Sequence, residues 1–193
     1  MKLKSLSILM TFFTILMVSA ISFAQQGDQA EMMKKWQEYM TPGAAHQQFA
    51  KAAGSWKASV TTFMEGQEMK SEATGENKMV LGGRYLQSTF NGSMMGMPFE
   101  GMQLDAYDNF TKEYISVWID NFGTGVLVQK GKKDEMTNEI VYTGTMIDPM
   151  SGGNTTVKTV MKNIDDDHQK MTMFLVDGGK EIKNMEIEYT RVK

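Results

Sequence analysis

The chain has 193 residues, of which 20 are Lys or Arg and 23 are Asp or Glu, giving a formal net charge of −3, and it contains no cysteine. That acidic balance argues against nucleic acid as a partner, because such binders draw most of their affinity from a basic face. The missing thiols exclude disulfide scaffolds, thiolate zinc sites, cysteine nucleophiles and a lipid-modified N-terminal cysteine.

Residues 1–24 have the layout of a signal peptide. Lys2 and Lys4 precede an apolar run over residues 6–18, and Ser22-Phe23-Ala24 supplies the small residues of a cleavage site. Cleavage is expected before Gln25, leaving a periplasmic or secreted protein with no membrane attachment. The apolar run is short and interrupted by Ser and Thr, which disfavours a lasting anchor. What remains has the length of one ordinary domain, enough to be stable without cross-links.

Residues 25–53 read as helical. Asp28 is a candidate N-cap for a first helix in which Met32, Met33, Trp36, Tyr39 and Met40 recur at three- and four-residue spacing. Thr41-Pro42-Gly43 stops that helix and starts a second, with Thr41 expected as its cap and Pro42 at its first position. Ala45, Phe49, Ala52 and Ala53 give the second helix a small apolar edge, and Gly54 ends it.

From residue 54 to 193 the period changes to two. Trp56, Ala58, Val60, Thr62 and Met64 alternate with Lys57, Ser59, Thr61, Phe63 and Glu65. Turn signals such as Leu81-Gly82-Gly83, Gly96-Met97-Pro98, Asn121-Phe122-Gly123 and Asp177-Gly178-Gly179 recur and divide this region into about ten short strands. No segment there is long enough for a parallel crossover, so neighbouring strands must be antiparallel. The predicted fold is mainly β: an antiparallel meander closed into a barrel, which removes exposed edges, with the N-terminal helices plugging or flanking one end.

In the strand around residues 113–120, Ile115, Val117 and Ile119 alternate with Tyr114, Ser116, Trp118 and Asp120. The mixed aromatic and polar row suits a ligand cavity, so Trp118 and Asp120 are expected to face the lumen. The aliphatic row would then lie outside and need covering by the helices or by a second subunit.

The ordered segments LGGRYLQ, MGMPFEG, YDN, WIDNFGTG and YTGTMIDPMSG, together with PGAAHQQFAKAAGSW near the start, resemble the bacterial domain-of-unknown-function 1579 family over roughly residues 42–191. The resemblance implies a lipocalin-like antiparallel barrel, frequently exported, with no established activity and no known catalytic residues. Gly54-Ser55-Trp56 is also similar to the G-x-W opening of the lipocalin and fatty-acid-binding group, where the indole closes the barrel floor.

No catalytic constellation emerges. There is no G-x-S-x-G elbow, the Gly82-Gly83 pair precedes a strand and so makes no phosphate loop, and Asp105 and Asp120 form only a nominal carboxylate pair. His46 and His168 lack ligand spacing for a metal, and neither sits where an axial haem ligand would be needed, so no metal or cofactor is expected. His168 follows Asp165-Asp166-Asp167 in what reads as a solvated turn.

The expected function is therefore non-catalytic binding of a small apolar or amphipathic molecule in the barrel. Phe90, Tyr107 and Trp118 are candidates for the apolar wall, Met97 and Phe99 for the mouth, and His46, Arg84 and Asp120 for the polar end. Arg84 would hold a carboxylate in a bidentate pair. Two alternatives remain open. One is a side-chain-filled barrel that acts as a homodimer. The other is Cu(I) binding by Met94, Met95, Met97 and Met102, four of 20 methionines that otherwise serve as general core filler.

Overall fold

The computed structural model describes residues 28–64, 66–149 and 151–193. The expected signal peptide falls outside these residues, whereas Asp28, expected as an N-cap, is the first described residue and is itself helical. The chain divides into one unit ending at Thr41 and a second running from Pro42 to Lys193.

In the first unit, helix α1 covers residues 28–40. It carries i,i+4 ion pairs, Lys35 to Glu31 at 2.7 Å and Lys34 to Glu38 at 3.9 Å, and an edge contact between the Trp36 and Tyr39 rings. The Thr41 hydroxyl donates to the Gln37 carbonyl at 2.6 Å. Thr41 thus closes the last turn of α1 and does not cap the next helix, which corrects the sequence expectation.

Helix α2 (Ala44–Lys51) starts instead from an extended Gly43. The Gly43 N–H donates to Nδ1 of His46 at 3.0 Å, satisfying a donor that no helical carbonyl reaches. His46 and Phe49 form the buried face of the helix.

Ten strands follow: β1 (Gly54–Met64), β2 (Gln67–Val80), β3 (Tyr85–Met94), β4 (Met97–Asp108), β5 (Glu113–Asp120), β6 (Leu127–Lys133), β7 (Ile140–Ile147), β8 (Asn154–Asn163), β9 (His168–Asp177) and β10 (Lys180–Arg191). Each pairs with its neighbours in sequence, and β1 pairs with β10 to close the barrel, so the expected meander and its closure are both present. Short turns make this possible. Gly178 and Gly179 both have positive φ, as a tight hairpin matched to strand twist requires.

Because the strands alternate in direction, the barrel has two distinct ends. One is plugged by α2 and holds the main apolar cluster: Phe49 packs among Leu86, Tyr114, Ile140 and Tyr142. The other end, where β4 begins and β5 finishes, is the mouth.

The plug is held by its own C-terminal carbonyls, which an isolated helix would leave unpaired. Trp56 Nε1 and Asn77 Nδ2 both donate to the Ala52 carbonyl, at 2.9 and 3.0 Å. Arg191 donates to the carbonyls of Ala53 and Lys51 at 2.7 and 2.6 Å, and its guanidinium lies 4.3 Å from the Trp56 ring centre. A cation at a helix C-terminus also complements the helix dipole. Trp56, only 1% exposed, closes the floor as its tripeptide suggests.

A candidate ligand cavity in the barrel lumen

Alternation along each strand sends every second side chain inward. The inward set from β3, β4 and β5 is Leu86, Ser88 and Phe90; Phe99, Gln103 and Asp105; and Ser116, Trp118 and Asp120. These residues border a cavity of about 250 Å³, completed by Gln129, Tyr142, Met171, Met185, Ile187 and Tyr189 among others. The lumen is hollow, so the filled-barrel alternative does not describe it.

Toward the mouth the wall is aromatic. The Phe90 ring lies 5.7 Å from Trp118 and 6.1 Å from Tyr189, centre to centre. Phe99 stacks on Trp118 at 6.2 Å, with the planes 16° apart, and meets Phe122 at 5.8 Å. Gly101 makes this stacking possible. It faces inward between Phe90 and Asp120 in the register, and a Cβ there would stand 2.5 Å from the Trp118 ring. The indole is fixed by its N–H, which donates to Asp120 Oδ2 at 2.7 Å. The other Asp120 oxygen accepts from the Phe122 amide at 2.9 Å.

Deeper in, the wall is polar. Asp105 is buried, and Gln103 Nε2 donates to both its carboxyl oxygens at 2.8 Å. Burial pushes the Asp105 carboxyl up to about 6, although hydrogen bonds from Gln103 and Ser116 pull the other way. Burial, followed by the Asp105 charge, also raises the phenols of Tyr142 and Tyr189. Gln129 and Thr159 pair at 3.1 Å.

Four of the eight sequence-predicted site residues border this cavity: Phe90, Phe99, Trp118 and Asp120. The other four do not. Tyr107 packs at the plug, 4.8 Å from the Tyr114 ring centre. His46 is buried against it, ring centres 5.9 Å apart. Desolvation lowers the His46 pKa, opposed by a hydrogen bond to the Tyr107 backbone and reinforced by the Arg84 charge. This histidine seats the plug and does not orient a guest.

Arg84 lies in the β2–β3 turn and donates to the Leu81 and Gly82 carbonyls at 3.3 and 3.4 Å. The turn engages the guanidinium, and Arg84 is not among the residues that border the cavity. Met97 is 50% exposed and stands outside the cavity.

Nor does the structure gather the four methionines on one face. Met94 borders the lumen, whereas Met102 accepts a hydrogen bond from Gln87 at 3.2 Å and points to the outer side of β4. His168 meets Asp165 in the β8–β9 turn at 2.8 Å, half-exposed as expected.

Sequence reasoning missed Asp105, Gln103 and Tyr189 as members of the lumen. The signal was available for the first two: Phe99, Gly101, Gln103, Asp105 and Tyr107 share one parity with polar residues in their midst. Arg191 gave no such signal, because its partners are far away in sequence.

No curated protein matches the sequence. Among solved structures, an S-type phycobiliprotein lyase from Guillardia theta is similar with a TM-score of 0.57 and 10% identity, covering 81% of this chain and 96% of that one. A redesigned β-barrel follows with a TM-score of 0.40 and 14% identity, covering 75% and 95%. At such identity the first likeness concerns the fold, a lipocalin-like barrel. Residues 41–191 match the family described as protein of unknown function DUF1579, and with most of its length covered the chain belongs to that family.

Proposed function

We propose that the protein is an exported, non-catalytic binding module that carries a small, largely apolar molecule in its lumen. The observation that carries this reading is the aromatic-walled cavity of about 250 Å³ closed at one end by α2. Ligand sites are typically concave and mostly apolar, with a few convergent polar groups, and the lumen combines Phe90, Phe99 and Trp118 with Asp105 and Asp120. The methionines of β9 and β10 add an adaptable wall. Export follows from the layout of residues 1–24. Native mass spectrometry of protein purified from its own host tests the reading. It predicts a non-covalent small-molecule adduct and a raised melting temperature on loading with naphthalene. A bare mass together with no response to naphthalene contradicts it.

A second reading, self-association, is favoured by the outer face of β4 to β6. Met102 pairs with Ile119, and Leu104, Val117 and Val128 form the adjacent row; Met102, Leu104, Ile119 and Val128 are all exposed on it. An apolar row of this kind often marks an interface. Light scattering on the wild type and on Ile119→Lys tests it, with a dimer that the substitution splits as the expected result and a monomeric wild type as the contrary one.

A further inference from the structure

The cavity's polar groups are unequal in sign. Among its described lining residues, the carboxylates that point inward are Asp105 and Asp120, and there is no lysine, arginine or histidine. A negative guest such as a fatty acid would meet like charge with no compensating cation. The hydrogen-bonding capacity left over is also one-sided. A carboxylate offers about four acceptor sites, and among the described residues the donors to Asp105 are Gln103 and Ser116. Independently, Oδ1 of Asn77, another lining residue, is the buried side-chain polar atom that lacks a partner among the described residues. Its amide orientation is fixed, because Nδ2 donates to the Ala52 carbonyl. Both surpluses are of acceptors, and both ask for a donor. Phe90, Trp118 and Tyr189 add aromatic faces, which attract cations as well as apolar surface.

Resting on the reading of the lumen as a binding cavity, we propose that its guest carries a protonated amine, or an equivalent group of N–H donors, on a small apolar or aromatic body, with the donor end seated on Asp105. The apolar body then lies among Phe90, Trp118 and Tyr189 toward the mouth. Specificity arises because the amine supplies what the wall lacks, while a carboxylate-bearing analogue adds a third negative charge beside Asp105 and Asp120.

The test is calorimetric titration of the full mature chain with three probes of one shape: phenethylamine, phenylethanol and phenylacetate, with naphthalene as a neutral control. At pH 8 the amine should bind on the order of tenfold or more tighter than the alcohol, the usual scale for a hydrogen bond to a charged group, and phenylacetate weakest. Asp105→Asn should remove the advantage of the amine while leaving phenylethanol binding in place, and Asp120→Asn should retain most of it. Wild-type protein gives a check that needs no variant. The advantage of the amine should fade as pH falls through about 6, where Asp105 takes up a proton, and phenylethanol binding should stay level. The groups facing Asp105 are Gln103, Ser116, Tyr142 and Tyr189, with Asp120 toward the mouth.

Equal binding of amine and alcohol, tighter binding of phenylacetate, or an amine preference that survives Asp105→Asn overturns the inference while leaving a binding lumen intact. If none of the probes binds, naphthalene included, the binding reading falls and this inference with it.

Discussion

Asp105→Asn separates the electrostatics of the lumen from its packing, since the amide keeps the shape of the carboxyl and removes its charge. In the folded protein the carboxyl holds its proton up to about pH 6, whereas the ordinary value is 3.8. The folded state therefore binds more protons between those values, and stability falls as pH rises across that window. The penalty is absent below the lower value and complete above the upper one. It amounts to about 3 kcal/mol at most, the free-energy equivalent of that pKa difference. For a barrel of this size that corresponds to a melting-temperature difference of roughly 6–12 °C as an upper figure. Paired thermal melts followed by circular dichroism, from pH 4 to pH 8, read it directly. Asp105→Asn should match the wild type at pH 4 and exceed it progressively toward pH 8. A gain independent of pH, or a variant no more stable than wild type at pH 8, would refute the account of Asp105 as a buried charge.

Phe49→Ala should cost about 3–5 kcal/mol in denaturant unfolding, because it empties the centre of the cluster that seats α2; a loss below about 1 kcal/mol would show that the plug is held otherwise. Arg191→Lys keeps the charge but loses the fork that reaches the carbonyls of Lys51, Ala53 and Asp166. It should cost about 1–3 kcal/mol and speed amide exchange in α2, and unchanged exchange would contradict the clamp. Gly101→Ala should displace the Trp118 ring, since its added carbon would stand 2.5 Å from that ring. Altered tryptophan fluorescence and a loss of about 1–3 kcal/mol are expected, and an unperturbed spectrum would mean that the glycine is not needed there.

The architecture was legible because period-two alternation and frequent turn residues act locally, and a meander needs only neighbouring strands to pair. The facing of β5 was legible for the same reason: Tyr114, Ser116, Trp118 and Asp120 share one parity, and that row lines the plug seat and the cavity. Depth along the barrel was not legible. Tyr107 has the inward parity of Asp105, yet it sits one step deeper, under α2, and contributes to the plug. His46 carries the chemistry of a ligand contact, but the helix turns it onto Tyr107. Arg84 is lost to its own turn because Gly82 and Gly83, both at positive φ, bring the Leu81 and Gly82 carbonyls within its reach. Arg191 could not be read at all, since its link to Lys51 spans a separation of 140 in sequence and exists only once β1 has met β10.

Crystallography under xenon pressure tests the hollow lumen most directly, because the gas reports any dry apolar space that a guest could use. Xenon should occupy the region between Phe90, Trp118 and Tyr189, and a variant in which Ala58 is replaced by Trp should exclude it. A wild-type barrel whose aromatic side chains meet across the axis and admit no xenon would contradict the account.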